Sequence, residues 1–212
     1  MKINQIMFGT DEDTDFMTII SINENDNEQN KNMVVPDILP LLPLRNTILF
    51  PGVVLPITVG RDKSIKAVND AYKTDKLVGV VAQNDANIED PELKDLCNIG
   101  TVAKIVKLIK MPDGGTTIII QGKKRFKMLS LVEEDPYFKA KIQLLADDEM
   151  LTGDDFDAYT GTIKDLAAQI IQLSPNMPTE ASIILKNIEN ASFLINFVSS
   201  NLNSELAEKQ TL

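Results

Sequence analysis

The chain has 212 residues, a formal net charge of −10, no histidine and one cysteine, Cys97. Histidine is the commonest general base and a common metal ligand, so its absence excludes histidine-based triads and histidine-ligated metal sites. A single cysteine excludes an internal disulfide, and an acidic chain lacks the basic surface that nucleic-acid binding needs. No signal peptide or apolar run of membrane-spanning length is recognisable, so we expect a cytoplasmic protein that binds neither nucleic acid nor membrane.

Residues 1–36 are predicted to form an acidic, mostly mobile arm. The stretch from 10 to 37 is rich in Asp, Asn and Glu, and within it only the apolar run 16–22 is suited to a short strand or a docking segment. A segment of this composition buries too little apolar surface to offset the entropy that is lost on ordering.

Residues 37–150 are predicted to form a β-rich domain. The apolar runs 38–44 and 53–59 are interrupted or preceded by prolines, and proline has no N–H group to donate to a strand ladder. These two strands are therefore predicted at edges, bulges or barrel corners. One helix is predicted at Asp62–Lys73 from its period of apolar residues. Further strands are predicted at 77–83, 99–110, 116–121, 126–132 and 137–145, with a β-bulge in 99–110 and a turn at 112–115.

This order of elements indicates a small closed or nearly closed barrel with one inserted helix. One basic cluster lies between two of its predicted strands, at Lys123, Lys124, Arg125 and Lys127. Nucleic-acid binding by such a cluster would need several interleaved aromatic side chains, and only Phe126 is present. We therefore interpret the cluster as the solvated start of a strand, with Phe126 pointing inward.

Residues 151–212 are predicted to form a helical bundle. From 152 to 173 an apolar residue recurs every three or four positions, which is typical of an amphipathic helix. Shorter helices are predicted at 179–190 and 192–202, and we expect the stripe to be buried against them within one monomer, with self-association weak. The same stripe of a second copy is the alternative partner. The stripe consists of Phe156, Tyr159, Ile163, Leu166, Ile170 and Leu173.

Catalytic chemistry is not recognisable in the sequence. A phosphate-binding loop would need a glycine at position 117 and a hydroxyl residue at position 124, where the chain has Thr117 and Lys124. Cys97 has no histidine to deprotonate it and is interpreted as a small core or strand-edge residue. No nucleophile elbow or calcium-type spacing of acidic residues occurs, so we predict no catalytic, cofactor-binding or metal-binding residue.

A family resemblance rests on the motifs Leu42-Pro43-Leu44-Arg45 and Phe50-Pro51-Gly52, followed by Pro56. With Ile99-Gly100-Thr101-Val102-Ala103 and the break Ser174-Pro175-Asn176-Met177-Pro178, these residues resemble the N-terminal substrate-binding domain of Lon-type ATP-dependent proteases over about residues 37–212. The resemblance implies an α+β fold, namely a PUA-like β pseudo-barrel followed by a long helix and a small helical bundle. In that family an AAA+ ATPase module and a Ser-Lys protease domain follow, so the chain is expected to be a truncated, non-catalytic piece.

The resemblance further implies that this region binds unfolded or degron-bearing proteins and presents them to a homo-oligomeric ATPase ring. ATP and Mg²⁺ are then expected in the absent ATPase module, with no cofactor in this region. A binder of unfolded chains needs exposed apolar surface on a stable frame. The residues selected for such a surface are Leu44, Arg45, Phe50 and Pro51, and closure of the barrel is an equally good interpretation of them.

Two alternatives stay open at this point. The first is a stand-alone Lon-domain protein that acts as an adaptor or ligand binder and ends at Leu212. The second is RNA binding by analogy with PUA-like folds, which rests on fold alone and is disfavoured by the acidic charge.

Overall fold

A computed structural model describes residues 33–110, 115–146, 153–173 and 185–212. The predicted arm, apart from residues 33–36, the predicted turn at 112–115, apart from Gly115, and the proline break after the long helix lie outside the described residues. The strands are β1 (Ile38–Leu44), β2 (Val54–Val59), β3 (Leu77–Gln83), β4 (Leu96–Lys110), β5 (Thr116–Glu133) and β6 (Lys139–Leu144). The helices are α1 (Asp62–Lys73), α2 (Asp154–Leu173), α3 (Ala191–Asn201) and the short α4 (Leu206–Lys209), and a 3-10 turn at Leu93–Asp95 precedes β4.

The six strands form one sheet in the order β2-β5-β4-β3-β1-β6, and β6 also pairs with β5. Five strands therefore make a closed ring of hydrogen-bonded neighbours, with β2 attached outside the ring through β5. The pairing of β1 with β3 is parallel and all other pairings are antiparallel. The predicted bulge in β4 is confirmed, because its register with β5 shifts between Ile105 and Lys107.

The observed extent of strand β5 differs from two of the predictions. The predicted strands 116–121 and 126–132 are one continuous strand of 18 residues, of which the first part pairs with β2 and the last part with β6. The basic cluster is consequently the middle of a strand, and the prediction of a solvated strand start is wrong for Lys123, which is buried. Phe126 points inward as predicted and is fully buried.

Of the predicted positions at edges, bulges or barrel corners, β2 occupies an edge, whereas β1 is not an edge strand and changes partner along its length, pairing with β6 at 38–40 and with β3 at 41–44. Among the described strands, β2 pairs only with β5, whereas β1 lies between β3 and β6. Strand β1 tolerates two prolines inside the sheet because the residues between them supply the donors. The backbone N–H of Leu41, for example, donates to the carbonyl oxygen of Phe138 at 2.8 Å.

The turn between β1 and β2 is fastened to β5. The backbone N–H of Gly52 donates to the Gly122 carbonyl, and the N–H of Gly122 donates to the Val53 carbonyl, both at 2.9 Å. A Cβ atom on Gly122 would overlap the carbonyl oxygen of Phe50. Glycine at position 122 is therefore what allows the turn to approach the strand this closely.

Helix α2 buries a different side from the one predicted. Its buried residues are Ala168 and Ile171, which pack with Leu185, Ile188 and Leu194. The prediction that the following helices cover half to most of the stripe is wrong, because four of its six members are largely exposed: Tyr159 (71%), Leu166 (54%), Ile170 (58%) and Leu173 (84%). Of the other two, Ile163 and Phe156 are half-buried.

These four side chains are exposed because little apolar surface is available to pack against α2. The described helical residues at 185–212 pack against one side of it, and the small residues Ala167 and Ala168 allow close approach on that side. The expectation of a helical unit packed within the monomer is confirmed for the described residues, because α2, Leu185–Ile188 and α3 share one apolar cluster.

We expect Gly122→Ala to lower the free energy of unfolding by about 1–3 kcal/mol, the usual cost of forcing extra volume into a packed site. The control is Gly161→Ala in α2, where a Cβ atom meets nothing within 4 Å and helix propensity favours alanine by about 0.5–1 kcal/mol. Urea denaturation of both variants measures the difference. Equal stability of the two variants would contradict the close approach of the turn to β5.

We also expect Ile171→Ala to cost about 2–5 kcal/mol of stability, because the side chain is only 9% exposed and its loss leaves a cavity. Leu166→Ala on the opposite side of α2 should change stability by roughly 0.5 kcal/mol or less. Thermal unfolding of the two variants checks which side is buried, and a larger loss in Leu166→Ala would reverse the assignment.

Candidate functional site

The four residues selected from the sequence as a contact surface lie in different environments. Leu44 and Phe50 are buried in the larger apolar core together with residues of β2, β3 and β5. Arg45 is exposed and Pro51 is half-buried. The structure thus assigns two of the four side chains to the interior, and Arg45 and Pro51 are the two that a partner can reach.

The Phe50-Pro51-Gly52 turn also supports the helices. Gly52 has a φ of +81°, which favours glycine, and a Cβ atom there would lie 2.6 Å from Cδ2 of Phe193 in α3. The preceding chain is fixed by Thr101, whose hydroxyl donates to the Leu49 carbonyl at 2.6 Å in the buried interior. The turn therefore forms a contact between the sheet and α3.

The largest exposed apolar side chains in the helical part lie along α2. We call Tyr159, Leu166, Ile170 and Leu173 the α2 apolar face. An apolar surface of this kind marks a site for a protein partner more often than isolated exposed residues do. The sequence contained the right residues, but their spacing gave no indication that the helix turns them toward solvent.

A second feature is a pocket between β1, α1 and the loop 84–92. The side chain of Gln83 is buried and organises this loop: its amide nitrogen donates to the carbonyls of Asp85 (3.3 Å) and Ile88 (3.0 Å). Its amide oxygen accepts a hydrogen bond from the guanidinium of Arg61. These contacts hold the loop next to the first turn of α1.

The pocket is lined by charged and apolar groups. The cations are Arg61 and Lys63, and the Lys63 ammonium lies 5.3 Å from the centre of the Phe138 ring. Burial, and secondarily the charge of Arg45, lower the pKa of Arg61, while Asp90 acts in the opposite direction. Arg45 is held close by a hydrogen bond from its Nη2 atom to the Glu89 carbonyl at 3.3 Å. The complete lining is Leu41, Pro43, Arg61, Lys63, Ser64, Asp90, Pro91, Tyr137 and Phe138.

Cys97 matches its interpretation as a core residue. Its thiol is buried and lies 3.1 Å from the Asn84 side-chain oxygen, and burial raises its pKa, which disfavours the reactive thiolate. In the described ranges no three His, Cys, Asp or Glu side chains are grouped as a metal site would require. Within the same ranges, no helix combines the length and apolarity that crossing a membrane would need.

Comparison with known sequences identifies Lon proteases as relatives of this chain. The family model described as "ATP-dependent protease La (LON) substrate-binding domain" matches residues 38–212. The chain is 50% identical over 201 residues to the Lon protease of Flavobacterium johnsoniae, which covers 94% of this chain and 25% of that protein. It is 47% identical over 178 residues to the Lon protease of Cytophaga hutchinsonii, covering 84% and 22%. The chain thus spans about a quarter of the length of these relatives.

Comparison with solved structures also finds a Lon protease domain. The structure named "N terminal domain of Mycobacterium avium complex Lon protease" matches with a TM-score of 0.65 at 20% identity, covering 82% of this chain and 88% of that one. At this identity the match concerns the fold alone. The matching family model, by contrast, extends over residues 38–212 and describes a substrate-binding region rather than a catalytic one. The chain therefore belongs to the family of Lon protease substrate-binding domains.

Proposed function

We propose that this chain recognises protein substrates for an ATP-dependent serine protease that degrades misfolded and regulatory proteins. In this proposal it binds unfolded or degron-bearing polypeptides and presents them to an ATPase ring. The observation that carries the proposal is the match of residues 38–212 to a substrate-binding domain. The names of its relatives, Lon protease, support the link to proteolysis.

The proposed domain organisation follows the change of secondary structure. We assign 1–36 to an arm, 37–150 to a PUA-like β pseudo-barrel and 151–212 to a helical bundle that leads toward the ATPase module. The ring of five strands supports a barrel, and the boundary near 150 is supported by the end of β6 at Leu144 and the start of α2 at Asp154. We place ATP and Mg²⁺ in the remaining length of the parent protein, and the parent in the cytoplasm as a homo-oligomeric ring.

The α2 apolar face is the surface we propose for the capture of unfolded chains. Unfolded polypeptides expose apolar side chains, and their burial against Leu166 or Leu173 is favourable without requiring a fixed sequence. Strand addition to β2 is a poorer route, because Pro56 has no N–H group to offer at that edge. Arg45 and Pro51 remain proposed peripheral contacts.

Binding to an unfolded protein tests the proposal. We expect the chain to bind reduced, carboxymethylated α-lactalbumin and not the native protein. Replacing Leu166 and Leu173 together by serine should weaken binding about tenfold, which corresponds to about 1.4 kcal/mol and is less than the full burial of two leucines provides. Fluorescence anisotropy of the labelled unfolded protein measures the change.

The matched control replaces Gln169 and Gln172, exposed residues of the same helix, by serine and should leave binding unchanged. Equal affinities of the two double variants would remove the α2 apolar face from the proposal. A change in sedimentation without a change in binding would instead identify this face as a contact between copies, whereas we expect a monomer or weak dimer.

The purified chain should hydrolyse neither ATP nor a peptide substrate, because its sequence has no phosphate-binding loop and no histidine base. Phosphate release and cleavage of a quenched fluorogenic peptide are the two assays. Saturable turnover that copurifies with the chain through successive columns would contradict the assignment to a non-catalytic region.

A further inference from the structure

We propose that residues 11–28 of this chain bind to an apolar and basic surface on the outside of β5 and β6. We call this surface the β5–β6 face and define it by Ile38, Lys127, Leu129, Val132 and Lys141. The contact lies within one chain and uses a different surface from the α2 apolar face, so it goes beyond the proposed function. It rests on exposed apolar side chains at two β-bulges, on lysines beside them, and on the composition and attachment of the segment 11–28.

The pairing of β5 with β6 contains two β-bulges. The register shifts between residues 128 and 130 and again between residues 131 and 133. The extra residue at each bulge is apolar and half exposed, namely Leu129 at 50% and Val132 at 53%. A bulge re-aims the side chain of its extra residue, and here it turns an apolar side chain toward water twice along one strand.

Strand β6 connects these side chains with the start of β1. Lys141 pairs with Ser130 of β5 on one side and with Ile38 of β1 on the other. Residues that pair directly across strands point to the same face of a sheet, and all three are exposed, Ile38 to 46%. Lys141 therefore lies between the apolar residues Ile38 and Leu129, which makes the apolar surface continuous across three strands.

The centre of the β5–β6 face is positively charged. Lys127 pairs with Gln143, which lies two residues beyond Lys141 on β6 and hence on the same face. Both lysines are exposed, and within the described ranges neither makes an ion pair. A partner that carries carboxylates is therefore favoured over this centre rather than over the end of β5. The acidic groups at that end are Glu133, which binds Lys139, and the exposed Glu134 and Asp135.

The segment 11–28 has the complementary composition. Its apolar run 16–22 is suited to cover the exposed side chains at the bulges, and acidic residues on both sides of the run are suited to the two lysines. The segment contains no basic residue. Its acidic residues are Asp11, Glu12, Asp13, Asp15, Glu24, Asp26 and Glu28.

The segment is also attached close to the face. Met33 and Val35 pack against the core cluster that includes Ile142 of β6, and the Ile142 N–H donates to the Asp37 carbonyl at 2.8 Å. The chain therefore runs beside β6 before it enters β1. An extended chain spans up to about 3.5 Å per residue, so residues 29–32 leave the segment within reach. Because a short tether gives an effective concentration of about millimolar, a weak contact is sufficient.

The α2 apolar face is the other described surface that an apolar segment could cover, and charge decides between the two. Helix α2 carries the exposed carboxylates Asp157 and Asp165, and its cation Lys164 is half-buried. Like charges repel, so an acidic segment is disfavoured there. The lysines of the β5–β6 face attract the same segment.

Paramagnetic relaxation measured by NMR on the full chain tests the contact. A nitroxide is attached at Asn25→Cys, and the parent chain treated with the same reagent measures any labelling of the buried Cys97. We expect the amide signals of residues 127–132 and 141–143 to broaden, less so at high salt, which screens exposed charges. The signals of residues 163–171 in α2 should keep their intensity. Broadening in α2 instead, or at neither place, would overturn the proposal.

Charge-reversal variants separate the face from general attraction. Replacing Lys127 and Lys141 together by glutamate should lower the docking equilibrium constant about tenfold, because two surface attractions become repulsions. The matched control replaces Lys104 and Lys107, exposed residues of β4, by glutamate and should leave the broadening unchanged. Equal loss of broadening in the two double variants would show that net charge alone acts and would overturn the face.

Apolar variants test the other half of the contact. Leu129→Ser on the face and Ile20→Ser in the segment should each lower the docking equilibrium constant about tenfold, because each removes apolar area from the contact. Ile20→Ser leaves every residue of the face unchanged, so its effect does not come from damage to the sheet. Thermal unfolding checks that Leu129→Ser keeps the melting temperature of the parent chain. Undiminished broadening in Ile20→Ser would contradict docking of the apolar run.

A mixed sample identifies which copy supplies the segment. Nitroxide-labelled chain without isotope is mixed with isotope-labelled chain without nitroxide, so that broadening arises only between copies. We expect none. Broadening as strong as in the singly labelled chain would overturn docking within one chain and identify a contact between copies. Capture of unfolded α-lactalbumin without broadening on β5 and β6 would overturn this contact and leave the proposed function standing.

Discussion

Strand β5 is hydrogen-bonded to β4, β2 and β6, and the closed arrangement of the sheet depends on these three pairings. Its 18 residues are long enough for β2 and β6 to use different parts of the same strand. It also supplies Phe126 to a core cluster that includes Leu39 and Met128, and its Gly122 is hydrogen-bonded to the turn before β2. Loss of its regular pairing would therefore open the ring, expose the core and release the turn together.

The turn Phe50-Pro51-Gly52 lies between the sheet and the helical part and contacts both. It is fixed on one side by Gly122 and by the hydroxyl of Thr101, and on the other side it receives Phe193 of α3. A second contact runs from the side-chain nitrogen of Gln210 to the Ile99 carbonyl at 3.2 Å. The motif that carries the family resemblance thus has a packing role in this fold, which accounts for the burial of Phe50.

The surface proposed for the capture of unfolded chains belongs to the helical part of this fold. The α2 apolar face offers nondirectional burial, which suits the varied side chains of unfolded proteins. Packing of Ala168 and Ile171 of α2 against Leu194 of α3 leaves this face exposed, whereas a partly folded chain would bury its apolar side chains against itself.

The sequence by itself determined the elements and the family. The period of apolar residues located α1, α2 and most strands. The proline and glycine motifs indicated the Lon substrate-binding domain. The absence of histidine and of a phosphate-binding loop excluded the catalytic mechanisms that depend on them. These features depend on residues that are close together in the chain. Only the tertiary structure decided that β1 lies inside the sheet, that β5 is continuous and that Leu166 faces solvent. It also brought Ser64 and Asp90 to one pocket, because the side of an element that is buried depends on how much surface distant segments can cover.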